Sequence, residues 1–201
     1  MTDKRAGRGF PSLNCDGHYA LCLLALLAAL WLIELLVGPQ RAAWYYDRPA
    51  LLHGEAWRLL SAHFVHLGPL HTLLNSAGLV LLWVLYARTL PLWQWLLVSL
   101  GSMAAIDAGL WWLDPQVEWY AGASGWLHGV LAAGAVLTLW RERSWSASLM
   151  VGVLALKLTV EQLRGDSVVA EGLPVLVQAH LYGAVGGLFT ALCLARTRQR
   201  L

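Results

Sequence analysis

A serine, three histidines and an asparagine stand in apolar stretches of the chain where polar side chains are not expected. Ser124 lies in Gly122-Ala123-Ser124-Gly125, and His128 follows it by four residues. His180 lies in Gln178-Ala179-His180-Leu181-Tyr182-Gly183-Ala184-Val185-Gly186-Gly187, while His71 and Asn75 share Leu70-His71-Thr72-Leu73-Leu74-Asn75. A polar side chain in such surroundings is costly and usually marks a function or an internal partner. A serine hydroxyl is a weak nucleophile near neutral pH and needs an adjacent base, for which a neutral imidazole is the usual choice. Ser124 as nucleophile and His180 as base would make an acyl-transfer centre. Its oxyanion would need N–H donors, and His71, Asn75 and the Ser124 backbone N–H at a helix N-terminus are the candidates. Sequence places no acidic residue to orient His180. The expected centre is therefore a Ser-His dyad, with His128 beneath Ser124 packing against or hydrogen-bonding His180.

Those residues need helices to hold them. The chain has 201 residues, 58% of them hydrophobic and 13% charged, with a mean hydropathy of +0.56. That combination falls outside the ordinary range of soluble domains. At about 20 apolar residues per crossing there is room for about six spans and no appreciable soluble domain. Hydropathy predicts helices over roughly 18–37, 69–87, 90–112, 124–140, 145–163 and 173–195. Their ends are marked by Gly38-Pro39, Arg88 before Pro91, Asp114-Pro115, Arg141-Glu142-Arg143 and Arg164-Gly165-Asp166, which are breakers or charges that hydrocarbon does not tolerate. The first run, from His18 to about Val37, is longer than a signal-peptide core and lacks a cleavage pattern, so it is expected to be a permanent helix. Cys15, Cys22 and Cys193 are odd in number and have no paired spacing, which argues against a disulfide framework. The expectation is an all-α membrane protein with a single six-helix core over 18–195, an N-terminal tail over 1–17 and a basic tail over 196–201.

Charge placement orients the helices. Lys4, Arg5, Arg8, Arg88, Arg141, Arg143, Arg196, Arg198 and Arg200 fall on one side, and only Arg41, Arg48, Arg58 and Arg164 on the other. Both termini are thus expected to be cytoplasmic, and the net charge of +2 reads as membrane anchoring, with no nucleic-acid footprint. The second, fourth and sixth helices then all begin outside, so the three polar clusters fall at one membrane face. His180 would lie about seven residues, or roughly 10 Å, into its helix, and a short fourth helix could sink Ser124 to that depth. Gly122, Gly125 and Gly129 can face Gly183 and Gly187, letting the fourth and sixth helices approach closely.

With those residues placed, His71-xxx-Asn75, Gly122-Ala123-Ser124-Gly125 and His180-xx-Gly183-xxx-Gly187, in that order on helices two, four and six, resemble the rhomboid intramembrane serine proteases. Trp57-Arg58 and His66 resemble that family's first-loop signature. The resemblance implies a six-transmembrane-helix rhomboid-like bundle, Ser124 as nucleophile, His180 as base, and His71 and Asn75 as oxyanion donors. It implies no cofactor and no metal. Rhomboids often have a tyrosine where this chain has His128. That departure, with Gly125-Trp126-Leu127-His128-Gly129, Leu156-Lys157-Leu158-Thr159-Val160-Glu161-Gln162 and Gln178 to Ala184, is similar to the rhombosortase branch. The branch implies substrates with a C-terminal Gly-Gly motif, a transmembrane helix and a basic end, processed in the inner membrane of Gram-negative bacteria. Such cleavage could be coupled to transfer onto an amine.

Three function classes follow. The first is the protease or transpeptidase, with transmembrane protein substrates and lipids as partners, whether Gly-Gly-tailed or other single-span proteins. A catalytically silent rhomboid-like binding protein is disfavoured by the presence of both Ser124 and His180. A metal transporter or metalloprotease would use His63, His66, His71, His128 and His180, but no His-Glu-x-x-His helix is present and the sequence places no obvious carboxylate beside the histidines. His63 and His66 otherwise read as loop packing, interface anchoring or structural hydrogen bonding. Lys157 and Glu161, four residues apart in the fifth helix, are expected to form a buried ion pair or a helix-end contact ahead of any catalytic role, with a substrate-facing role left open. That same helix, leading into the Gly165–Gly172 connection, is the expected substrate gate.

Overall fold

The structure, a computed structural model, describes residues 17–143, 145–165 and 175–198, with 196–198 described by backbone alone. Of the expected tails only Gly17 and the backbone of 196–198 are described, and Lys4, Arg5, Arg8, Cys15, Asp166, Glu171, Arg200 and most of the Gly165–Gly172 connection lie outside the described residues. In chain order the elements are α1 (Gly17–Val37), a 3-10 helix (Gly38–Trp44), β1 (Tyr46–Asp47), α2 (Arg48–Leu52), α3 (Arg58–Ser61), α4 (Pro69–Tyr86) and α5 (Leu92–Trp112). They continue with β2 (Trp119–Tyr120), α6 (Ser124–Glu142), α7 (Trp145–Arg164) and α8 (Val177–Arg198).

The six long helices fall where hydropathy predicts them, apart from their ends. Pro69 starts α4 because its fixed φ suits the first helical turn and its missing N–H has no partner to lose there. The helix α8 begins at Val177, after residues 175–176, which carry no regular structure, so hydropathy counts apolar residues that lie before the helix. His180 consequently sits in the first turn of α8, and the expected depth of about seven helical residues is not met. Among the described residues five stretches are long and apolar enough to cross a membrane, namely Gly17–Trp44, Pro69–Tyr86, Leu92–Trp112, Trp145–Arg164 and Val177–Ala195. The sixth helix, α6, differs for a physical reason. It is enclosed by α4, α5, α7 and α8, so it is built of glycine, alanine and His128 among its leucines and faces neighbours instead of lipid.

Its buried set, including Trp126, Val130, Ala133, Ala135 and Leu137, forms the middle of the main core with Leu79, Trp83 and Val98. Outward residues such as Leu24, Leu36, Leu73, Leu96, Leu156, Leu163 and Phe189 are exposed, an apolar surface that water would not stabilise and hydrocarbon does. A Cβ on Gly183 would overlap the Gly125 carbonyl, and one on Gly187 would overlap the Gly129 carbonyl, so α6 and α8 meet backbone to backbone. At the other flank, buried Glu34 ties α1 to α4. It accepts from Arg41 Nη2 at 3.0 Å and from Thr72 Oγ1 at 3.1 Å.

The long connection over 38–68 is ordered by two arginines. Arg58 is buried and donates to Glu55 Oε2 at 2.7 Å and to the carbonyls of Ala42 and Tyr45 at 3.0 and 3.1 Å. Arg48 reaches the end of α5, donating to the carbonyls of Leu110 and Trp111 at 2.5 and 3.2 Å, where a helix leaves acceptors unpaired. β1 pairs antiparallel with β2, Tyr46 opposite Tyr120 and Asp47 opposite Trp119, which binds this connection to the segment leading into Ser124.

Candidate active site

Ser124 is the first residue of α6, so its N–H belongs to the turn that has no intrahelical acceptor. The approach to it is locked from three sides. Gly122 N–H donates to the Ala62 carbonyl at 2.8 Å, Tyr120 Oη donates to the Gly122 carbonyl at 2.6 Å, and Trp126 Nε1 donates to the His63 carbonyl at 3.2 Å. Burial, with Asp107 adding to it, pushes the Tyr120 hydroxyl far above its usual range, so it remains a protonated donor. Gly122 has φ of +128°, which only glycine adopts without strain, and a Cβ there would lie 2.8 Å from His71 Cε1. The backbone thus turns past the imidazole of His71 immediately before the serine.

His180, almost wholly buried, places Nε2 3.0 Å from Ser124 Oγ. The His128 ring stacks on it with centroids 4.1 Å apart and planes 15° from parallel. His128 Nδ1–H donates to the Ser124 carbonyl at 2.7 Å, which fixes the ring against its own helix. Stacking, one of the two arrangements expected for His128, is therefore the one found.

His71 Nδ1 accepts the Leu67 N–H at 3.3 Å, so the proton of the neutral ring is on Nε2, the edge that passes Gly122. Asn75 Nδ2 donates one hydrogen to the His71 carbonyl at 3.0 Å and keeps a second. His71, Asn75, Ser124, His128, Lys157 and His180 all line one cavity of about 190 Å³. Its remaining wall is apolar and runs along α4 and α6 through Leu74, Gly78, Leu81, Leu82, Leu127 and Leu131, with Val175 before α8 completing it. The cavity is thus a cleft between α4 and α7 floored by α6, with the polar groups at one end.

The expectation that no acidic residue orients His180 is corrected here. Glu161 Oε2 lies 2.9 Å from His180 Nδ1, and Glu161 Oε1 accepts from Lys157 Nζ at 2.5 Å. The carboxylate is 19 residues away on another helix, so spacing along the chain does not reveal it. The available signal is that an acidic residue inside an apolar helix needs a partner, and Lys157 explains only one of its two oxygens. The dyad is therefore a larger hydrogen-bonded set. The absence of a carboxylate beside the histidines is likewise corrected, because Asp107 Oδ1 lies 3.3 Å from His63 Nε2.

The remaining histidines fall into place as supports. His63 packs its ring against Tyr120, and His66 packs edge-on against His71 with centroids 5.2 Å apart. Burial, with His71 beside it, lowers His66 to about 3, so it is neutral at physiological pH. His128, Glu161 and His180 bring ligand atoms within 4.8 Å of one another, but hydrogen bonds to Ser124, from Lys157 and among themselves already occupy Nδ1 of His128, both nitrogens of His180 and both oxygens of Glu161.

Comparison with known proteins gives a concordant result. The Rhomboid domain family matches residues 53–197. A protein of Bacillus subtilis (strain 168) named "Putative rhomboid protease YdcA" is 27% identical over 187 residues, which cover 89% of each chain. No solved structure matches.

Proposed function

This chain belongs to the Rhomboid family and is a multi-pass membrane protein, and from that premise we propose that it is an intramembrane serine endopeptidase with Ser124 as nucleophile and His180 as general base. The observation that carries the proposal is the 3.0 Å contact between Ser124 Oγ and His180 Nε2 at the polar end of an otherwise apolar cleft. That cleft suits an unwound end of a transmembrane segment, apolar along its length and peptide-like at one tip.

The chemistry follows from the atoms. Ser124 Oγ attacks the scissile carbonyl carbon while its proton passes to His180 Nε2. The oxyanion is met by Ser124 N–H, His71 Nε2–H and the second hydrogen of Asn75 Nδ2, in a site where solvent competes little. His180 then gives its Nε2 proton to the leaving amine as the C–N bond breaks. An incoming water or amine loses a proton to the same nitrogen as it attacks the ester, and that proton passes to Ser124 Oγ as the C–O bond breaks and releases the product. His71→Ala and Asn75→Ala should each slow acylation about a hundredfold or more, with little change in substrate binding. A loss confined to KM would assign these two residues to binding instead.

The substrate class we propose is a surface-destined bacterial protein with a C-terminal Gly-Gly-type transmembrane tail, cut at the periplasmic face of the Gram-negative inner membrane. Support comes from the rhombosortase-like segments around His128, Lys157–Glu161 and His180, and from the Lys and Arg asymmetry that sets both termini in the cytoplasm. The test is co-expression of a Gly-Gly-tailed membrane protein with native protein or Ser124→Ala, followed by mass analysis of the released C-terminus. A Ser124-dependent size shift supports the assignment, and the product mass separates hydrolysis from transfer to an amine. Processing that persists in Ser124→Ala rules it out for this substrate. No processing by native protein would exclude the sorting tail and leave other single-span substrates as the proposed class.

Lateral access is expected through the cleft between α4 and α7. Engineered cysteines that tie α4 to α7 should suppress cleavage when oxidised and restore it when reduced. Unchanged cleavage by the cross-linked protein would refute this gate.

A further inference from the structure

Glu161 and Lys157 lie one turn apart near the C-terminal end of α7, a helix whose outward residues Leu149, Val153 and Leu163 are exposed. A fully buried carboxylate in such a helix is costly unless its oxygens are engaged. An ion pair of purely structural purpose would be complete with the i, i+4 contact from Lys157 Nζ to Oε1. Oε2 instead reaches α8 and meets the imidazole nitrogen of His180 opposite to the one that faces Ser124.

Resting on the reading of Ser124 and His180 as nucleophile and base, we infer that Glu161 is the positioning residue of His180 and that Lys157 determines which way Glu161 faces. A carboxylate only accepts, so Oε2 requires the imidazole proton on Nδ1 and leaves the Nε2 lone pair directed at Ser124 Oγ–H. When Oγ bonds to the substrate carbonyl carbon, its proton moves to Nε2. The Nδ1 proton stays on the ring, and Glu161 balances the imidazolium charge until Nε2 releases its proton to the leaving amine. Lys157 has three donors and no acceptor, so it must hold an acceptor, which in a carboxylate or amide side chain at position 161 is an oxygen.

This arrangement makes an unusual demand on the amide variant. In Glu161→Gln, Lys157 selects the carbonyl oxygen and turns the NH2 group toward His180 Nδ1. That group can only donate, so the imidazole proton moves to Nε2, the tautomer that cannot accept from Ser124. Adding Lys157→Met removes the donor that selects the oxygen, so the amide can present its oxygen to Nδ1–H. A second substitution in the same ion pair should therefore restore activity, which loss of a structural contact would not do.

The experiment uses the full chain in lipid nanodiscs, the rate of Ser124 labelling by a fluorophosphonate, and 15N spectra of labelled histidine in which His180 is assigned by its loss in His180→Ala. Native protein should carry the His180 proton on Nδ1. Glu161→Gln should label about a hundredfold more slowly or worse, with the proton on Nε2, and Lys157→Met added to it should regain about tenfold. A native His180 protonated on Nε2 overturns the inference even if the variants fail to fold. So does Glu161→Gln labelling at the native rate, or no recovery in the folded double variant. Labelling that persists in Ser124→Ala would sink the parent reading. Labelling lost in Ser124→Ala and His180→Ala but intact in Glu161→Gln would remove only the role of Glu161.

Discussion

Ser124→Ala and His180→Ala should each abolish cleavage, a loss on the order of 10⁴- to 10⁶-fold, and the double variant should be no worse than either alone. The reason is that Oγ and Nε2, 3.0 Å apart, act as one unit. Without the imidazole the hydroxyl keeps its proton, and without the hydroxyl the imidazole has nothing to activate. What remains in each variant is the oxyanion site and the cleft, which hold substrate without a nucleophile. Single-turnover cleavage of a purified transmembrane substrate measures this directly. Losses that multiply in the double variant would mean the two residues act in separate steps and would refute the mechanism. The variants should fold, because Ser124 begins a helix without serving as its cap, and the α6–α8 contact depends on glycines and not on His180.

The same geometry explains which parts of the centre were legible along the chain. Ser124, His128, His71 and Asn75 stand out because each polar pair is four residues apart on one helix, so helical periodicity alone puts them on one face. The meeting of Ser124 and His180 needed only the glycines of α6 and α8 and a charge count that points both helix starts the same way. Glu161 was not legible as the partner of His180. Its i, i+4 lysine offers a sufficient local explanation, and the second oxygen finds its use only when α7 is packed beside α8. The β1–β2 pair and the hydrogen bonds from Gly122 and Trp126 were hidden for a similar reason. They join segments about 60 to 75 residues apart and each ends on a backbone group, which carries no pattern in side-chain type. The start of α8 was misplaced because hydropathy registers apolar residues whether or not they are helical.

Gly183→Val should cost both activity and stability, and it separates packing from chemistry because it alters no reacting group. Gly183 lies three residues after His180, on the side of α8 that meets Gly125, the residue immediately after Ser124. Any Cβ at 183 would occupy the Gly125 carbonyl, and the branched valine adds further atoms at that point, so the helices must part. Overpacking of this kind typically costs about 1–3 kcal/mol, which a folded protein of about 5–15 kcal/mol stability survives. A displacement of about 1 Å at the reacting atoms costs about a hundredfold in rate. Activity should therefore fall much further than stability, by at least about a hundredfold in fluorophosphonate labelling with a moderate drop in thermal midpoint. Gly152→Ala on α7, where nothing lies within 4 Å of the new Cβ, is the control and should leave labelling at the native rate without lowering the thermal midpoint. Native labelling by folded Gly183→Val would show that the backbone approach of α6 and α8 does not set the distance between Ser124 and His180.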